Sequence, residues 1–299
     1  ILLTRRWTNK IMELTLFKTL WGHDGSFAYA ASQAQEAGFQ GIEGPAPMDK
    51  TTQSQYLQIL EDNGVKYIAE ITTAGSYVPD RTASLDQHVD SFKQKLDASL
   101  ELNPLFITSL AGCDAWPESK SIEFFGLAME YAKANKIDVS FETHRSRSFF
   151  NPWTTQRICN QLTGLQLTFD FSHWCVVCER LMDSELDVLN ELAPRARHIH
   201  ARIGYDQGPQ VPDPTNSRYQ NELQSHQAWW RLLWRDMYKR GFDLFTMTPE
   251  FGPDGYQAVD VKTNQPIGDL WEYNQWLARQ QLQEFDEFLR ENSVNQKSV

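Results

Sequence analysis

Four apolar runs in the second half of the chain end in groups that can hold a metal ion or move a proton. They are Ser140-Phe141-Glu142-Thr143-His144, Thr168-Phe169-Asp170-Phe171-Ser172-His173, His198-Ile199-His200-Ala201-Arg202 and Thr248-Pro249-Glu250-Phe251. The steps from 142 to 170, 170 to 200 and 200 to 250 are 28, 30 and 50 residues. That spacing suits one functional side chain per repeating strand–helix unit. Three carboxylates and an imidazole cannot share a partly buried pocket as bare charges, because repulsion and desolvation raise the carboxyl pKa values. One divalent cation held by Glu142, Asp170, His200 and Glu250 resolves the conflict. Oxygen-rich ligation with one nitrogen places Mn²⁺ first, with Mg²⁺, Co²⁺ or Zn²⁺ behind it.

Each residue alone has a plainer reading. Asp170 followed by Ser172 reads as a helix cap. His200 reads as a hydrogen-bonded core histidine, and Glu142 or Glu250 as a salt-bridged rim group. Their joint occurrence at successive strand ends favours a site. Trp229, Trp230 and Trp234 follow helical spacing and read as packing rather than as a stacking surface for sugars.

The elements that must position these groups alternate. Short apolar runs at Leu14–Thr19, Gly41–Gly44, Tyr67–Thr72, Leu105–Leu110, Val139–Thr143, Leu165–Phe171, Ala196–Ala201 and Leu244–Glu250 read as eight strands. Helical patterns at Phe27–Ala37, Gln53–Asn63, Ser84–Glu101, Ser121–Ala134, His226–Lys239 and Leu270–Glu291 lie among them. Eight β/α units within 299 residues, with no linker between halves, predict a single α/β domain, a (β/α)8 TIM barrel over residues 12–299. The rival, an open doubly wound sheet, lacks its Gly-x-Gly-x-x-Gly turn. Residues 1–11 read as an N-terminal extension, disordered or an artefact of the start site. The long connection Gly204–Gln224, with Pro209, Pro212 and Pro214, is expected to be an ordered lid over the barrel mouth.

Composition narrows the partners. With 28 Lys and Arg against 39 Asp and Glu the net charge is −11, which disfavours nucleic acid. No run approaches the roughly 20 apolar residues of a membrane span, and the mean hydropathy is −0.52. Four cysteines are too sparse for a disulfide framework or a zinc site and read as reduced thiols, so the protein is expected in the cytoplasm. A small-molecule sugar is the expected partner, and a homo-oligomer is compatible with these features.

The chain resembles the xylose isomerase-like TIM barrel superfamily of sugar isomerases, epimerases and their relatives. The marks are Glu142, Asp170-x-x-His173, His198-Ile199-His200 and Pro249-Glu250-Phe251. The resemblance implies that Glu142, Asp170, His200 and Glu250 bind one divalent metal, that Glu142 and Glu250 also form the acid/base pair, and that His173 binds substrate. Thr143-His144-Arg145 stands where epimerase relatives often carry an Asn-Arg pair, so substrate placement on that side must differ. Asp213-Pro214-Thr215 lacks a histidine of the abasic-site endonuclease branch, which argues against a three-zinc DNA enzyme. The segment from His200 to Pro209 is similar to sugar phosphate isomerase/epimerase-like proteins, without establishing a phosphorylated substrate.

These readings predict a divalent-metal-dependent isomerase or epimerase that abstracts a proton next to the carbonyl of a keto sugar or related polyol ketone. A lyase or hydrolase acting on 3-keto-glycosides is the second reading, and a non-catalytic metal-dependent sugar-binding protein the third. Besides His173, the expected substrate-binding residues are Arg202, His144, Lys18 and Trp21. Glu43, Glu70, Arg145, Asp206 and His23 are weaker candidates.

Overall fold

Alternation along the strands decides which side chains meet at the barrel axis. In β1 (Glu13–Thr19) six consecutive residues are buried, as a parallel strand covered on both faces requires. It is followed by β2 (Gly41–Gly44), β3 (Lys66–Thr72), β4 (Ile107–Leu110), β5 (Val139–Glu142), β6 (Gln166–Phe169), β7 (Ala196–Ala201) and β8 (Leu244–Pro249). In this computed structural model, which describes residues 12–296, the eight strands pair in sequence order and in parallel. β8 closes on β1 from Glu13↔Leu244 to Leu16↔Met247. The fold is therefore a single TIM barrel. The extension assigned to residues 1–11 lies outside the described residues.

Around the strands run α1 (Phe27–Glu36), α2 (Lys50–Asn63), α3 (Leu85–Leu100), α4 (Glu118–Ala134), α5 (Pro152–Gln161), α6 (Phe171–Cys178), α7 (Leu186–Leu192), α8 (Gln220–Lys239) and α9 (Leu270–Gln296). Local chemistry sets their ends. Ser84 and Gln87 form a reciprocal capping box at the start of α3. Asp49 caps α2 at Thr52 N, and Gly64, at φ 59°, ends that helix in the left-handed region that glycine tolerates. The pattern of helices expected from sequence omitted α5, α6 and α7. These are short, and the FSHWCVVC stretch of α6 has no polar stripe to betray its period.

Most of the core lies between strands and helices, in one extended cluster that includes Phe92, Phe125 and Phe141 and the fully buried Trp229, Trp230 and Trp234. The three tryptophans thus sit in the core rather than at the barrel mouth. On the other strand face Phe17, Ile68 and Phe106 form a separate buried cluster, against which His198 lies edge-on to Phe17 and Phe106. Above it Thr168 Oγ1 bonds to Thr108 and Ser140, each at 2.7 Å. The axis is thus apolar below and polar towards the strand C-termini, where barrel enzymes place their chemistry.

Candidate metal centre and active site

Glu142 ends β5, Asp170 caps α6 immediately after β6, His200 lies in β7, and Glu250 follows β8. All four are buried, and one donor atom from each lies within 4.8 Å of the others. His200 Nδ1 is 3.4 Å from Glu142 Oε1 and 3.2 Å from Glu250 Oε2. Among the described residues this nitrogen has no hydrogen-bond partner. The opposite nitrogen, Nε2, lies 2.8 Å from Glu43 Oε1.

Burial pushes the Glu142 carboxyl up, and Glu250 and Asp170 add to the rise while His200 opposes it. Asp170 is also raised by burial, against the pull of Arg202. Burial would lower His200, but the carboxylates of Glu250, Glu43 and Glu142 carry it well above the ordinary histidine value. Carboxylates that resist ionising side by side, converging with an otherwise unbonded imidazole nitrogen, form a donor set that fits a metal ion.

Arg202 binds the site from above. Its Nη2 donates to Asp170 Oδ2 and, at 2.7 Å, to His173 Nε2, while Nε donates to Ser172 Oγ at 3.1 Å. Asp170 divides its two oxygens, since Oδ1 accepts from Ser172 N at 2.9 Å and caps α6. The cap thus occupies one oxygen and leaves the other facing Arg202 and the carboxylate cluster.

Beneath lies a second layer that the four-residue pattern did not include. Glu43 Oε2 is 3.1 Å from His198 Nε2 and accepts a hydrogen bond from the Thr248 hydroxyl. His198 Nδ1 is 2.8 Å from Thr246 Oγ1. Burial would raise Glu43, but His200 and His198 hold it well below the usual carboxylate range. Glu43, weighed as a hydroxyl binder, is instead fully buried under His200.

A cavity of about 500 Å³ opens over these residues. Glu142 and Glu250 reach it, as do Arg202, His144 and Trp21, whereas Asp170 and His200 stay below. Two other expected substrate contacts do not line it. His173 is fully buried behind His144, with ring centroids 3.9 Å apart. Lys18 has the opposite strand parity to Phe17 and Thr19, and its ammonium lies 4.1 Å from the Trp271 ring centroid. Burial lowers its pKa to about 8.

Glu70 does line the cavity, and burial, reinforced by Glu250, Glu43 and Glu142, raises its pKa to about 8. Tyr77 and Tyr256 complete the wall. Tyr256 lies 4.9 Å from Trp21 and beneath the guanidinium groups of Arg145 and Arg202. These tyrosines come from irregular loops, where no strand period marks them.

The expected lid takes another place. Gly204–Gln224 supplies none of the residues found lining the cavity. Gln210 instead brackets Gly252, accepting from its N–H at 2.9 Å and donating to its carbonyl at 3.2 Å. The segment thus props the loop after β8, and α8 already begins at Gln220. Among the described residues no helix is long and apolar enough to cross a membrane.

Comparison of the folds finds the D-allulose 3-epimerase of Methylomonas sp. at a TM-score of 0.62 and 12% identity, covering 91% of this chain and 98% of that one. The IOLI protein with a bound zinc atom gives 0.63 at 12%, covering 92% and 99%. Endonuclease IV from Thermus thermophilus gives 0.58 at 13%, covering 93% and 99%. At such identities the likeness is one of fold. Comparison with curated protein sequences gives no match. Residues 31–252 match the xylose isomerase-like TIM barrel family, most of the chain and seven of its eight strands, so the chain belongs to that family.

Proposed function

We propose that this protein is a divalent-metal-dependent isomerase or epimerase of a keto sugar or related polyol ketone, working by proton transfer next to the carbonyl. One observation carries the reading. Of the four converging ligands, Glu142 and Glu250 alone line the cavity, and they come from β5 and β8, three strands apart around the barrel. Two carboxylates carried by separate strands therefore border one ligand volume, as removal and return of a proton require. Binding alone would not need both.

One ion held by Glu142, Asp170, His200 and Glu250 is expected, with Mn²⁺ the first choice and Mg²⁺, Co²⁺ or Zn²⁺ able to replace it. When bound, it would polarise the carbonyl oxygen and offset the negative charge that builds there. One of Glu142 and Glu250 takes the carbon-bound proton and the other returns one, to the same carbon for epimerisation or to its neighbour for isomerisation, where a hydroxyl proton also passes from one oxygen to the next. Arg202 and His144 hold hydroxyl groups, and Trp21 and Tyr256 exclude water from the reacting carbon. The epimerase among the fold neighbours supports this class of reaction.

Screening keto sugars, inososes and 3-keto-glycosides in D₂O, with NMR detection, tests the proposal. Solvent deuterium at the carbon next to the carbonyl is expected. Changing Glu142 or Glu250 to Gln is expected to retain some metal and to slow exchange by a factor on the order of 10² to 10⁴. Complete retention of the substrate hydrogen at low conversion would point to a hydride shift and remove the roles assigned to the two glutamates. Loss of a β-substituent in place of reprotonation would reveal the lyase.

A further inference from the structure

The cavity is larger than a free sugar needs, and its lining combines the charged groups of the candidate site with a set of apolar side chains. A hexulose has about twelve non-hydrogen atoms, and even at the roughly 30 Å³ a water molecule occupies in the liquid these fill only about 360 Å³. The cavity measures about 500 Å³. The polar set comprises Glu70, Glu142, His144, Arg202 and Glu250. Five further lining residues are apolar or aromatic, Leu20, Pro45, Ala46, Met48 and Tyr56, from the loops after β1 and β2 and from α2, with Thr72, Ser76, Lys95 and Ser99 from β3, its loop and α3 completing that part of the lining.

The apolar set is held in place from behind. Tyr56 stacks on Phe27 with ring centroids 3.8 Å apart and planes at 7°. Leu20 lies directly over Gly44, where an added Cβ would come within 2.6 Å of its side chain. Leu20, Ala46 and Tyr56 all pack on the main core. Lys95, which also lines the cavity, directs two of its donors to the carbonyl and the hydroxyl of Thr72. At the rim Met48 is 60% exposed, an unbranched apolar side chain that adapts readily to a ligand surface. Hydroxyl groups set directly against Leu20, Pro45, Ala46 and Met48 would face carbon in place of water, which is costly, whereas an apolar group there would gain.

We infer that the substrate is amphipathic, a keto sugar bearing an aryl or alkyl aglycone, with the aglycone seated against Leu20, Ala46, Met48 and Tyr56. The inference rests on the preceding proposal for its orientation, since the ketone is what meets Glu142 and Glu250. An aglycone occupies the anomeric carbon, so the ketone belongs on another ring carbon, as in a 3-keto-glycoside.

The test compares methyl and cyclohexyl 3-keto-glucosides on the Mn²⁺-loaded full chain. Binding is followed by tryptophan fluorescence and exchange by NMR in D₂O. The cyclohexyl glycoside is expected to bind ten- to a hundred-fold more tightly, from the apolar area it removes from water. Met48→Asp, at an exposed position that should leave folding intact, is expected to reduce that ratio at least several-fold. Ala46→Phe, which fills space beside the apolar set, should reduce it further. Equal affinities, or a ratio unaffected by both substitutions, overturn the inference. Deuterium exchange into the methyl glycoside would in that case leave the proton-transfer reading standing. Cyclohexyl preference without exchange in either compound upholds the inference and overturns the chemistry. Failure of both compounds to bind overturns the inference.

Discussion

Glu43 Oε1 lies 2.8 Å from His200 Nε2, while the other nitrogen of that ring faces Glu142 and Glu250. The contact indicates which nitrogen would be available to the proposed ion. Nε2 donates to Glu43, so Nδ1 is the nitrogen that faces Glu142 and Glu250, and an ion bound there would displace the proton that the raised pKa places on it. A carboxylate behind a ligating histidine also raises its basicity and fixes its ring plane. Glu43→Gln is therefore expected to weaken Mn²⁺ or Zn²⁺ binding by about 10- to 100-fold, read by competition with a chelator. In ¹⁵N NMR the His200 ring signals should move towards a mixture of tautomers, which a general loss of packing would not produce. Unchanged metal affinity and unchanged ring shifts would count against this role.

The second prediction concerns acid. His226 is fully buried in α8, with Nδ1 2.8 Å from the Glu222 carbonyl and Nε2 accepting from Gly204 N at 3.2 Å. Both nitrogens are satisfied only in the neutral ring, and burial holds its pKa down to about 4. The unfolded chain takes up this proton near pH 6.5, before the folded protein does. The stabilising contribution is therefore complete above about pH 6.5 and is lost as pH falls towards 4, by on the order of 3 kcal/mol for this group. Urea denaturation at pH 7.5 and 5.0 should show a smaller pH-dependent loss in His226→Gln than in the wild type. Equal losses would show that His226 is not the titrating group.

Gly252 gives a steric prediction at the mouth. An added Cβ would fall 2.1 Å from the Trp21 ring, and Gln210 already holds the Gly252 peptide on both sides. Gly252→Ala should displace Trp21 from Tyr256, shifting tryptophan emission and weakening ligand binding, while metal affinity stays within about two-fold of the wild type. Emission identical to the wild type would mean that the ring is not confined as described.

How much of this could be read from the sequence depended on strand parity. Glu142, His200 and Glu250 stand two residues beyond Ser140, His198 and Thr248, and period two carries each pair to the same strand face. The eight runs of apolar residues were legible for the same reason. Parity also argues against Lys18 at the mouth, because Phe17 and Thr19 take the opposite face. His173 could not be placed this way, since it lies on α6, where its direction depends on helix geometry and on the bond from Arg202. Glu43 stood at a strand end like the others, but its partners lie 155 and 157 residues away and meet it only through barrel closure. Tyr77 and Tyr256 belong to loops whose course is set by tertiary contacts rather than by a local period.

One of those contacts supports the last prediction. Arg147 is fully buried, and its guanidinium donates to the carbonyls of Thr73 at 2.7 Å, Gly112 at 3.2 Å, Tyr77 at 3.1 Å and Ser76. Burial lowers its pKa to about 10, and the charge is offset by oriented carbonyls. The planar fork thus ties the loop after β3, including Tyr77, to the end of β4. Arg147→Met keeps much of the volume but leaves these acceptors without donors, at a cost on the order of 2–4 kcal/mol. Lys at this position should recover only part of that loss, because one ammonium cannot reach carbonyls spread around a plane. Hydrogen exchange over residues 73–80 should rise in Arg147→Met ahead of exchange in the β5 and β7 strands. If the loop and the barrel strands instead lose protection together, Arg147 supports the whole barrel and does not act as a local clamp on the cavity wall.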